Sequence, residues 1–173
     1  MSEPEVWLRG PVPSIMPLLQ PVAHGLLQCR AEVRGTVPTL SAEQIWARPH
    51  GVASVGYHVR HAVGSLDRLL TYARAEQLSP SQLGVLAHED RPDVDDGIGT
   101  TLVAEFDVAV ERALAQLHAT PVDTLLEPRE VGRGRLPSTV LGLLFHAAEH
   151  TQRHTGQLVT TAKVVLGEQR RSR

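Results

Sequence analysis

The stretch that decides the fold runs from Ser138 to Gly167, STVLGLLFHAAEHTQRHTGQLVTTAKVVLG. Ser138 is a helix-capping residue type, Gly167 a helix-stopping one, and the residues between read as one long helix. His146, His150 and His154 lie within it. Residues four apart on a helix share a face, one turn above the next, so two such imidazoles can reach one metal ion. Working outward, His58 and His61 sit three apart on an earlier segment that also reads as helix. A third ligand from there would complete a three-histidine site inside a bundle. Spacing alone leaves open whether the pair is His146/His150 or His150/His154, and whether His58 or His61 joins it. Three neutral imidazoles suit Zn, Ni, Fe or Cu and leave coordination positions for water or substrate.

The rest of the chain supplies the other helices. Pro4, Pro11 and Pro13 mark residues 1–13 as an extended arm. A first helix spans about 14–34, with Pro17 in its first turn and Pro21 expected to kink it or delay its start. Ser41 to Gln44 reads as a capping box that packs Ile45 and Trp46 downward. Ser54 caps a second long helix over about 55–75, whose buried face includes Val55, Val59, Ala62, Leu66 and Leu70. Ser79-Pro80 opens a short helix that stops near Glu89, and residues 91–99 form an acidic loop. A third long helix covers about 101–117 through Leu102, Phe106, Val110 and Ala113. Residues 121–137 read as irregular. Their Arg129, Arg133 and Arg135, close to a helix start, are candidates for holding a carboxylate or phosphate. Residues 168–173 read as a polar tail. Four long helices and no convincing alternating strand imply an all-α four-helix bundle over 14–167.

Composition agrees. Aromatic residues are only 3% of the 173, so the core must be built from Leu, Val and Ala, which suits packed helices better than a sandwich or barrel. A net charge of −2 gives no bias toward nucleic acid or an anionic membrane, and no apolar run approaches the ~20 residues of a membrane span. The start MSEPEVWLRG has no basic segment followed by an apolar one, so no signal peptide is read and a cytoplasmic location is expected. Cys29 is the single cysteine, which excludes a disulfide framework and a multi-cysteine zinc site; it reads as a buried small hydrophobe.

The run Ser54-Val55-Gly56-Tyr57-His58-Val59-Arg60-His61 resembles the second helix of the DinB/YfiT-like superfamily. His146-x3-His150-x3-His154-Thr155-Gly156-Gln157 resembles its last-helix signature, and Trp46-Ala47-Arg48-Pro49 the segment before its second helix. The resemblance implies an up-down-down-up bundle, often a homodimer. It also implies a divalent metal held by His61, His150 and His154, with His58 and His146 one turn away, packing or hydrogen-bonding to the ligands. Thr155 stands where many relatives carry a basic residue. Zn or Ni is the expected metal, with Fe or Mn as the further choices. Among characterised relatives are transferases and isomerases that use a low-molecular-weight thiol, so the resemblance implies a metal-dependent S-transferase acting on a small-molecule substrate. Two alternatives stand beside it, a non-catalytic metal or small-ligand binding protein related to stress and a metal-dependent hydrolase. A zinc-peptidase mechanism is disfavoured, because Glu149 precedes His150 and no glutamate directly follows the first histidine of either pair. Glu149 is expected to pair with Arg153 instead, and Gly156 to let helices approach closely.

Overall fold

The computed structural model of the chain describes residues 4–93 and 95–171. Among these residues six α-helices form: α1 (Gln20–Thr36), α2 (Ala42–Trp46), α3 (Val55–Ala73), α4 (Pro80–Leu86), α5 (Ile98–Ala119) and α6 (Val140–Arg171). Their starts follow local chemistry. Ser54 Oγ accepts from the Tyr57 amide at 3.1 Å and opens α3. Ser41 with Gln44 closes a capping box at α2, and Ser79 with Gln82 does the same at α4. The delay expected from Pro21 is observed: Pro17–Leu19 form a 3₁₀ turn, and α1 begins at Gln20 with the proline in its first turn.

Side-chain pairings fix the direction of each long helix. Arg34 meets Asp107 at 2.9 Å and Arg30 meets Glu111, so α1 and α5 run antiparallel. His58 lies beside His154 and His61 beside His150, so α3 and α6 also run antiparallel. Gly25 faces Gln152 while Cys29 bonds Thr155, which makes α1 and α6 parallel. The helices therefore run up, down, down, up, the bundle order that the family resemblance implies. Helix α6 packs between α1 and α3, and α5 closes the ring opposite it.

The core is aliphatic. Leu19, Leu26 and Val33 meet Val55, Val59 and Leu66 from α3, and Leu102, Val110 and Leu117 from α5. Phe106 is the only buried phenylalanine among the described residues, since Phe145 is exposed. Thr151 and Thr155 are buried on α6 at little cost, because their hydroxyls bond back to the carbonyls of Ala147 and Thr151. Cys29 is buried as expected, and burial pushes its thiol pKa up to about 11.

Four details depart from the sequence reading. Residues 128–139 are not irregular: β1 (Pro128–Val131) pairs antiparallel with β2 (Leu136–Thr139). Gly132 at φ 67° and Arg135 at φ 49° shape the turn between these four-residue strands, which are too short to show a periodic pattern. Thr139 rather than Ser138 caps α6, its Oγ1 accepting from Gly142. Gly167 does not stop α6, which continues to Arg171 through most of the segment read as a tail. The N-terminal segment is not extended throughout: Val6–Leu8 form a 3₁₀ turn, and the Val6 amide donates to Gln28 on α1.

Candidate metal centre

Helix α3 presents His58 and His61, and α6 presents His150 and His154, at one level of the bundle. His61, His150 and His154 each offer a ring nitrogen, and these three atoms lie within 4.8 Å of one another. They are the three positions implied by the family pattern. His61 Nε2 and His150 Nε2 are 3.1 Å apart. Two nitrogens bound to one ion at about 2.0–2.1 Å lie roughly 2.9–3.4 Å from each other, so this spacing suits a shared divalent cation. Burial, followed by the field of neighbouring histidines, lowers the pKa of His150 and holds His154 down at about 4. Both are thus neutral imidazoles at pH 7, the form that binds metal.

His58 is buried, and its Nδ1 lies 3.1 Å from His154 Nδ1. It occupies the position of a hydrogen-bonding neighbour, and burial lowers its pKa. Tyr57 stacks on His61 with ring centroids 5.4 Å apart, 12° from parallel. His146 is not among the three converging nitrogens: its ring packs 5.4 Å from that of His150 between centroids, and its half-exposed side chain meets Glu149 at 3.1 Å. Glu149 also pairs with Arg153, the expected i,i+4 contact, and that guanidinium lowers the carboxyl pKa. Gly156 has open space where a Cβ would stand, so close helix approach does not explain it. It borders a groove of about 750 Å³ that is also lined by His58, Val52, Arg153, Thr160 and Val164.

The sequence reading missed Glu89. It sits in the turn after α4, is only 3% exposed, and its Oε2 lies 2.7 Å from His61 Nδ1. Its Oε1 accepts from Arg68 at 2.8 Å. Residues 88–91 are His-Glu-Asp-Arg, a solvated turn by composition, and no local pattern marks one of its carboxylates as buried. The arginines of the hairpin are engaged elsewhere. Arg129 donates to the Ala73 carbonyl and pairs with Glu127, Arg135 pairs with Glu130, and Arg133 is exposed in the turn.

Residues 26–158 match the sequence model of the DinB superfamily, and the chain belongs to that superfamily. No curated protein matches it. Among solved structures, the conserved protein of a locus from Enterococcus faecalis is similar in fold. It shares 18% identity with a TM-score of 0.68, over 88% of this chain and 99% of that one. Among the described residues, no helix is long and apolar enough to cross a membrane.

Proposed function

We propose that this protein is a metal-dependent enzyme of the thiol-dependent S-transferase type. The observation that carries the reading is the convergence of His61, His150 and His154 within 4.8 Å, on two helices that a packed core holds in register. A bound divalent metal, Zn or Ni, would supply an acceptor for a low-molecular-weight thiol's sulfur and lower that thiol's pKa. The protein's own residues do the rest. Val52 and Val164 offer apolar walls to a small-molecule substrate, and Arg153 gives the groove one cationic edge. His58 borders the same groove and lies within hydrogen-bonding distance of His154, so it would hold that ligand's ring in place. In this reading the chain works as a homodimer, which sedimentation at micromolar concentration tests.

The decisive experiment is metal analysis of the purified protein, followed by transfer assays with several thiols and an electrophile. About one metal ion per chain and metal-dependent loss of thiol are expected. Bound metal without turnover would favour a non-catalytic binding protein, and turnover with water alone a hydrolase. Absence of metal from protein purified and reloaded with Zn or Ni would overturn the reading.

A further inference from the structure

We propose that Glu89, clamped by Arg68, is a positioning residue that sets the tautomer of His61, and that Gly64 is there to admit its carboxylate. The inference rests on His61 serving as a metal ligand. A neutral imidazole has one N–H and one lone pair, and only the lone pair can take a metal. Glu89 Oε2 can only accept at His61 Nδ1, 2.7 Å away, so the proton is held there and the Nε2 lone pair is directed toward His150. Neither other histidine has such a partner. His150 Nδ1 is buried with no hydrogen-bond partner among the described residues, and His154 Nδ1 faces another imidazole, which can either donate or accept.

The carboxylate is itself fixed. Arg68 NH1 donates to Oε1 at 2.8 Å, and both side chains are buried. Gly64 lies one turn before Arg68 on α3, and a Cβ there would stand 2.4 Å from Glu89 Oε1 and 2.7 Å from Arg68 NH1. These contacts make a chain from Arg68 through Glu89 to His61 that leaves α3, passes through the α4–α5 turn and returns to α3.

The orientation of the clamp makes the isosteric variant informative. In Glu89→Gln, Arg68 requires an oxygen at the Oε1 position, so the new NH₂ faces His61. It would donate to Nδ1, move the imidazole proton to Nε2 and block the donor atom. In Glu89→Gln/Arg68→Met that requirement is gone, and the amide can turn its oxygen back to His61.

The test has two readouts. Nitrogen NMR of imidazole-labelled, metal-free protein at pH 8 reports the tautomer, and Co(II) titration reports affinity. Wild type should show His61 protonated at Nδ1. Glu89→Gln should show it protonated at Nε2 and bind Co(II) about 10–100-fold more weakly. The double variant should recover at least part of that loss while Arg68→Met alone does not improve binding, an order that simple destabilisation would not give. Gly64→Ala should weaken Co(II) binding with helix content retained. A wild-type Nε2–H tautomer, or wild-type affinity in Glu89→Gln, would overturn the proposal. Failure of wild type to bind Co(II) would instead remove the metal centre itself, while the tautomer measurement still decides the role of Glu89.

Discussion

His150 and His154 are one helical turn apart on α6, and His61 meets them from α3, so each of the three donors depends on the other two being in place. Replacing His61, His150 or His154 with Gln should cut metal affinity by more than the roughly 10–100-fold typical of losing an outer hydrogen-bond partner. Helix content should stay near wild type in each, because Gln is a good helix former of similar size. His146→Ala should leave the stoichiometry unchanged, since that ring packs beside His150 at 5.4 Å between centroids but supplies none of the three converging nitrogens and meets Glu149 instead. His58→Ala should keep the stoichiometry, but it removes the partner of His154 and lowers affinity. Metal analysis and calorimetric titration of the five variants check the ordering; full loss of metal in His146→Ala alone would place the site one turn away.

Helix α2 is held to α3 by a close approach of ring to backbone. A Cβ on Gly56 would stand 2.7 Å from the Trp46 ring, and Arg60 covers that ring with its guanidinium carbon 4.7 Å from the centroid. An indole is rigid, so Gly56→Ala must displace it together with α2. A cost of about 1–3 kcal/mol is expected, as for other overpacked sites. For a chain of this size that corresponds to a fall in Tm of about 2–4 °C per kcal/mol. Thermal denaturation checks this, and an unchanged Tm would show that α2 shifts without loss. The effect should be smaller for Ser54→Ala, where only the cap bond to Tyr57 is lost, about 1 kcal/mol.

Over the whole molecule, three buried or half-buried histidines tie stability to pH. Burial lowers the pKa of His58, His150 and His154, the last to about 4, against about 6.5 in the unfolded chain. Between those values the unfolded state binds more protons than the folded one. The stability these groups contribute is therefore fully present above pH ~6.5 and is lost as pH falls toward about 4. Denaturant titrations of the metal-free protein from pH 7.5 to 4.5 should show that decline. Added Zn or Ni should raise Tm at pH 7.5, since the unfolded chain cannot gather the three ligands, and less so near pH 5, where protons compete for them. A flat profile in His58→Gln/His150→Gln/His154→Gln would assign the decline to these residues.

By itself the sequence determined the four long helices and the helical spacing of their histidines, because both are local. Periodic Leu, Val and Ala define a helix face, Ser41, Ser54 and Ser79 mark helix starts, and a spacing of four puts His150 and His154 on one side. The choice of His150 and His154 over His146 and His150, and of His61 over His58, came from the family pattern rather than from spacing. The tertiary structure decided what depends on partners distant in sequence. The β1–β2 hairpin is too short for a periodic signal, and the end of α6 carries no strong stop once Gly167 is tolerated. Glu89 is 28 residues from His61 and lies in a turn of solvated composition. Its burial is set by where Arg68 and Gly64 stand on α3, and only the packing of the α4–α5 turn against that helix brings the carboxylate to the ring.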